Sequence, residues 1–290
     1  MSIEKVAVLG GGLMGSGIAE SVALAGLSVI VRDVDEMAIG GARKRIERSL
    51  GQAVHRGKVD EETAAEALNR ITYTAELEDI ADTDLVIEAV PENAELKANI
   101  LAQVAGLVSE ETLISSNTSS IPIAQLAAGL PRPDRVLGLH FFSPVPVMRL
   151  IEVVVALDTS DEALASARDF AERIGKRAIV TKDRSGFIVN MLLVPYLMAA
   201  VRMYEEGFAS AEDIDEGMKQ GCGHPMGPLT LADFIGLDVL YAIGDSLYEE
   251  FKQTEYAPPP LLKRMVASGR IGRKAGRGFY EYRRERVGAS

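Results

Sequence analysis

The segment Gly10-Gly-Gly12-Leu13-Met14-Gly15 has the spacing G-x-G-x-x-G, follows the apolar run Val6–Leu9 and opens a stretch of helical periodicity. Asp33 stands 18 residues beyond Gly15, just after a second apolar run, Ser28–Val31. A dinucleotide needs these parts in this layout. Glycines let the backbone approach the pyrophosphate, the helix N-terminus stabilises its charge, and a carboxylate after the second strand accepts hydrogen bonds from the adenosine ribose. Without Asp33 the same turn could serve only tight strand–helix packing. A carboxylate at that position repels a 2′-phosphate, so the expected cofactor is NAD rather than NADP, with the adjacent Arg32 acting in the opposite sense.

His140 ends another apolar run, and the C-terminal ends of strands are where open α/β sheets place ligands. Glu152 lies inside Leu150–Val155, where a buried carboxylate requires a partner. If the two strands meet, Glu152 can hold His140 in one tautomer and raise its basicity, which makes a general base. A core histidine beside an unrelated edge glutamate is the plainer alternative. Ser115-Ser-Asn-Thr-Ser-Ser120 is a dense run of hydroxyl and amide groups after a strand, more than a helix cap before Pro122 requires. Asn190, a lone amide within Phe187–Val201, must find hydrogen bonds from a ligand or a neighbouring loop. Between Arg43 and Lys58, six Lys and Arg residues face only Glu47, a local +5. That segment is either a solvated helix face or a handle for a second phosphate-bearing ligand.

Positioning these residues falls to a regular alternation. Runs at Val6–Leu9, Ser28–Val31, Leu85–Ala89, Thr112–Ser115, Val136–His140, Leu150–Val155 and Ala178–Val180 read as strands. Helical stretches fall between them, notably Asp35 to about Gly57 and Ala94–Val108. The rhythm predicts an α/β, Rossmann-type N-terminal domain with a mostly parallel sheet over 1–184. After Thr181 only helix-like segments follow: Gly186–Glu206, Ala211–Gln220, Leu229–Ile235, Val239–Phe251 and Pro259–Ala267. These predict an all-helical C-terminal domain over 185–290, with Lys182-Asp-Arg-Ser-Gly186 as the boundary.

Composition narrows the function. A net charge of −11 argues against nucleic acid and anionic membranes as partners, since both demand a basic surface. The single Cys222 excludes an internal disulfide or a multi-cysteine zinc site and fits a reducing, cytoplasmic setting with no metal. The start of the chain carries Glu4 and Lys5 where a signal peptide needs an apolar centre, and Phe187–Val201 is too short and too interrupted to cross a membrane. The Met-rich stretch Met191–Met203 offers more apolar surface than one small domain can bury, which predicts a homodimer through the C-terminal domain.

The chain resembles the 3-hydroxyacyl-CoA dehydrogenases, most closely the short bacterial 3-hydroxybutyryl-CoA type, over essentially its whole length. The likeness rests on Val8-Leu-Gly-Gly-Gly-Leu-Met-Gly-Ser-Gly-Ile18, Ser116-Asn-Thr-Ser-Ser120, His140-Phe-Phe-Ser-Pro-Val-Pro-Val-Met148 with Glu152, Gly186-Phe-Ile-Val-Asn190, His224-Pro-Met-Gly-Pro-Leu-Thr-Leu-Ala-Asp233 and Gly276-Arg-Gly-Phe-Tyr280. The resemblance implies reversible NAD-dependent oxidation of an (S)-3-hydroxyacyl-CoA thioester, with His140 as base and Glu152 as its orienting carboxylate. It implies that Ser119 and Asn190 contact the substrate. Gly10, Gly12, Leu13, Met14, Gly15, Asp33, Glu92, Lys97, Asn117, Ser119, Ser143 and Lys274 fall on the cofactor side, and Ser49 and Arg56 at coenzyme A. Ser143 stands where many members have Asn, Ser185 where Pro is usual, and Met191 where Arg is common. Two rivals remain. One is another two-domain β-hydroxyacid dehydrogenase, which would need a catalytic lysine where this chain has Asn190. The other is a non-catalytic NAD- and acyl-CoA-binding relative of the crystallin kind.

Overall fold

The computed structural model describes residues 2–282. The chain divides into two compact units, Met1–Arg184 and Ser185–Ser290. The first unit is built on eight strands: β1 (Lys5–Leu9), β2 (Ser28–Arg32), β3 (Ile71–Thr74), β4 (Leu85–Glu88), β5 (Leu113–Ser116), β6 (Val136–Phe141), β7 (Leu150–Val155) and β8 (Arg177–Lys182). They lie side by side in the order β3-β2-β1-β4-β5-β6-β7-β8. Every neighbouring pair is parallel except β6–β7. The first six strands thus have the doubly wound order, and the chain reverses direction across the sheet between β1 and β4.

Around the sheet lie α1 (Leu13–Leu24), α2 (Glu36–His55), α3 (Glu61–Asn69), α4 (Ala94–Ala105), α5 (Ile123–Ala127) and α6 (Asp161–Arg173). Parallel strands covered on both faces need continuous apolar sequence, and Val6, Ala7, Val8, Leu9, Leu85, Val86 and Ile87 are all fully buried. The β6–β7 connection is too short for a crossover, so these two strands pair antiparallel. Their register sets His140 directly opposite Glu152.

The expected α/β architecture holds, with differences at particular elements. β3 and α3 were not anticipated. Ile71-Thr-Tyr-Thr74 is an edge strand without an apolar run, and α3 is short, started by the Asp60 carboxylate accepting from Thr63 N–H at 2.7 Å. α2 starts at Glu36 because Asp35 caps it, accepting from Ala38 N–H at 2.8 Å. The helix expected from Gly186 begins only at Val189, since Gly186 (φ +82°) and Phe187 (φ +48°) are left-handed.

The second unit contains α7 (Val189–Glu205), α8 (Ala211–Cys222), α9 (Pro228–Ile235), α10 (Leu237–Phe251) and α11 (Pro260–Ala267). Leu197, Met198, Val201, Leu229, Leu240 and Leu262 form its core. Two buried carboxylates tie it together. Asp215 accepts from Leu229 and Thr230 N–H at the start of α9 (2.7 and 2.9 Å), and Asp233 accepts from Phe279 and Tyr280 N–H at 3.0 Å each. A side chain on Gly278 would collide with the Asp233 carboxylate, which accounts for glycine there. Among the described residues no helix is long and apolar enough to cross a membrane.

Candidate active site

The glycine turn joins β1 to α1. Gly10 has φ +91°, and a side chain there would press on the Ala89 carbonyl, while one on Gly15 would collide with the Gly10 carbonyl. Those two glycines serve the close strand–helix approach. Gly12 differs: a Cβ built on it meets nothing within 4 Å, and no side chain caps α1, whose first residues are Leu13 and Met14. An open, uncapped helix N-terminus with room above its second glycine fits a pyrophosphate. Asp33, after β2, accepts from Gly11 N–H and Val34 N–H, both at 2.7 Å, which fixes its carboxylate beside the turn.

A buried ionic network lies where β4 and β5 end. Lys97 of α4, only 1% exposed, donates to Glu88 Oε1 at 2.7 Å and to the Val90 carbonyl at 3.1 Å, and pairs with Glu92 at 3.2 Å. Ser116 donates to the other Glu88 oxygen. Glu92 in turn accepts from Thr118 Oγ1 at 2.6 Å and from Ser119 N–H at 3.0 Å. Burial raises the Glu92 carboxyl, but the Lys97 ammonium and the Thr118 and Ser119 donors outweigh it and hold it below its ordinary range. The serine-rich segment is therefore not a simple helix cap, because Glu92 and Glu88 organise it.

Asn117 Oδ1 accepts from Phe141 N–H at 2.9 Å, which ties the end of β5 to the residue after His140. His140 Nδ1 lies 2.7 Å from Glu152 Oε2, with His140 6% exposed and Glu152 fully buried. A buried carboxylate accepts only, so its contact with Nδ1 puts a proton on that nitrogen. Ser143 is exposed in the loop that follows. Lys176 holds this loop, donating to the Val145 and Met148 carbonyls at 2.7 Å each, and its burial lowers its pKa.

Ser49 and Arg56 both belong to the basic segment. Arg56 caps α2 and is exposed, as are Arg43, Lys44, Arg45, Arg48 and Lys58. The Ser49 hydroxyl is engaged by Glu20 of α1, a residue 2% exposed whose pKa burial pushes up to about 7 while the Ser49 bond lowers it. Below its ordinary 4.5 Glu20 is protonated in both folded and unfolded chains. From there to about 7 only the folded chain keeps the proton, so stability falls as pH rises through that window. Glu20→Gln should therefore be more stable than the parent at pH 8 by about 1–3 kcal/mol and nearly equal to it at pH 4. Urea denaturation at the two pH values checks this, and equal differences would refute it.

The remaining expected residues lie in the second unit. Asn190 is in the first turn of α7 and 8% exposed. Lys274 is paired with Asp238 at 2.7 Å. Glu88, Glu20 and Lys176 were not anticipated, and Arg45 was read only as one cation of the basic segment. Glu88 carried a sequence signal, a carboxylate within the apolar run Leu85–Ala89, the same sign that marked Glu152.

Comparison with known proteins decides the family. The model of the 3-hydroxyacyl-CoA dehydrogenase NAD binding domain matches residues 5–184, and that of the 3-hydroxyacyl-CoA dehydrogenase C-terminal domain matches residues 186–282. The chain belongs to the 3-hydroxyacyl-CoA dehydrogenase family. Among similar members, a 3-hydroxybutyryl-CoA dehydrogenase of Mycobacterium tuberculosis is 50% identical over 283 residues, covering 97% of this chain and 99% of the relative. The crystal structure of M. tuberculosis FadB2 matches with a TM-score of 0.96 at 50% identity, over 98% of this chain and 100% of that one. The (S)-3-hydroxybutyryl-CoA dehydrogenase PaaH1 of Ralstonia eutropha matches with a TM-score of 0.92 at 45% identity, over 98% and 100%. The NAD binding domain of this dehydrogenase family thus coincides with the unit that carries the glycine turn, Asp33, His140 and Glu152.

Proposed function

We propose that the protein catalyses reversible, NAD-dependent oxidation of (S)-3-hydroxybutyryl-CoA to acetoacetyl-CoA. The observation that carries the reading is His140 at the end of β6, with its Nδ1 2.7 Å from the buried Glu152 carboxylate. His140 Nε2 takes the proton of the 3-hydroxyl, and Glu152 stabilises the imidazolium that forms. NAD, when bound, supplies the acceptor for the hydrogen that leaves C3 with its electron pair. Ser119 and Asn190 orient the reacting oxygen and the thioester. In reverse, His140 returns its proton to the 3-oxo oxygen. Gly12 and Asp33 would hold the adenosine and pyrophosphate portion on a turn that Gly10 and Gly15 keep tight, and Glu92, Lys97, Asn117, Ser143 and Lys274 would lie on the cofactor side. Turnover of acetoacetyl-CoA with NADH, read spectrophotometrically, tests the activity. Its absence would favour the non-catalytic reading, and a panel of longer and dicarboxylic thioesters fixes the acyl preference.

Coenzyme A brings phosphates to a protein of net charge −11, so local cations must attract them. We assign this to the exposed basic segment, with Arg56 as its main contact and Ser49 as a neutral partner. Arg56→Ala should raise KM for acetoacetyl-CoA about threefold to tenfold and flatten its dependence on salt, with kcat nearly unchanged. A KM and salt slope matching the parent would reduce the segment to a solvated face. α7 leaves Leu192 (72%) and Met203 (39%) exposed, and Phe208 follows at 77%. These are the residues on which the proposed homodimer of a cytoplasmic enzyme rests, and a monomer in sedimentation at micromolar concentration would remove it.

A further inference from the structure

The backbone of Gly11 is held at both its N–H and its carbonyl. Its N–H donates to Asp33 Oδ2 at 2.7 Å, and its carbonyl accepts from Arg45 Nη1 at 3.0 Å and from Ser16 Oγ at 2.8 Å. A carboxylate and a guanidinium thus bracket one residue of the glycine turn. Arg45 reaches it from α2, remains exposed, and forms an ion pair with no carboxylate among the described residues. The neighbouring arginines are otherwise engaged. Arg32 donates its Nε to the Ala75 carbonyl at 3.2 Å beyond the sheet edge, and Arg43 stacks over the Tyr73 ring at 4.7 Å.

We propose that Arg45 is a preformed contact for a 2′-phosphate, held in check by the charge of Asp33. The inference rests on the reading that the glycine turn and Asp33 receive the adenosine half of NAD. In dinucleotide folds the residue after the second strand meets the ribose 2′ position, where a carboxylate binds a hydroxyl and a nearby arginine binds a phosphate. This chain carries both. Asp33 repels the 2′-phosphate, so NAD is preferred. Arg45 is already fixed beside the turn by the Gly11 carbonyl, and its remaining N–H groups can serve a phosphate without rearrangement of the turn. Cofactor choice then depends on the charge of one side chain, and Arg32, the arginine next to Asp33 in sequence, takes no part.

Calorimetry on the full chain with two probes, 5′-AMP and adenosine 2′,5′-bisphosphate, reads the site without turnover. The parent should bind 5′-AMP more tightly than the bisphosphate. Asp33→Asn keeps an acceptor for Gly11 N–H but removes the charge, and should shift the ratio of affinities toward the bisphosphate by about tenfold or more. Adding Arg45→Leu should cancel most of that gain, whereas adding Arg32→Leu should leave it in place. 5′-AMP binding in each variant reports that the turn is intact, and Arg45→Gln replaces Arg45→Leu if it is not. The ratio of kcat/KM for NADPH and NADH should follow the same order. No gain in Asp33→Asn, or a gain that survives loss of Arg45, overturns the proposal while leaving the NAD site standing. Failure of the parent to bind 5′-AMP would instead overturn the NAD site, and this proposal with it.

Discussion

His140→Gln should turn over acetoacetyl-CoA about 10²–10⁴-fold more slowly than the parent while still binding NADH, since that is the usual contribution of a positioned general acid or base. Glutamine can still donate to Glu152, so the variant removes the proton-transfer group without orphaning a fully buried carboxylate. A near-normal kcat would refute the mechanism. Glu152→Gln separates orientation from charge. The amide can still partner His140 Nδ1, but a neutral group stabilises the imidazolium less, so kcat should fall and the pH–rate profile should move. An unmoved profile would break the pair even if kcat dropped, because a merely packed glutamate affects rate without affecting titration.

That pair was legible in the sequence only in part. Val136–His140 and Leu150–Val155 were legible as strands because each is a continuous apolar run, and a carboxylate inside one of them demands a partner. What decided the partner was register. The short connection enforces antiparallel pairing and sets residues 140 and 152 face to face. Glu88 carried the same signal and was passed over, because its partner Lys97 sits on a helix and its second partner Ser116 on another strand. Neither spacing suggests a meeting. Arg45 was hidden for a related reason: within the basic segment it is one cation among six, and only the seating of α2 against α1 brings it to Gly11. β3 and α3 escaped because an edge strand and a short capped helix bury too little to impose an apolar pattern.

The motifs that carried the family likeness also divide by role once placed. Gly276-Arg-Gly-Phe-Tyr280 and the segment ending at Asp233 meet each other through backbone N–H groups on a buried carboxylate, so their joint presence records the architecture of the second unit. The glycine turn and the His140 loop are different. Gly12 borders open space and Ser143 is exposed, so packing does not account for them, and residues of this kind carry functional information.

Lys97→Met should cost about 3–5 kcal/mol of stability, because it leaves the fully buried Glu88 without its cation. The surviving bonds to Glu88, from Ser116 and from Val90 N–H at 2.7 Å, are neutral donors and cannot replace an ammonium at the same distance. Lys97→Met/Glu88→Gln should recover most of the stability, because glutamine is neutral, its carbonyl oxygen can still accept from Val90 N–H, and its amide N–H can donate to the Ser116 hydroxyl oxygen. Urea denaturation of the three variants checks this, and a cost below about 1 kcal/mol for Lys97→Met would mean that the pair is not a structural linchpin. Turnover in the double variant asks a second question of the same residues. Lys97 also faces Glu92, which holds Thr118 and the Ser119 N–H, so a double variant with restored stability should still turn over more slowly than the parent. Recovery of both stability and kcat would confine Lys97 to the fold. Recovery of stability alone would show that its charge acts through Glu92 on the Ser119 segment.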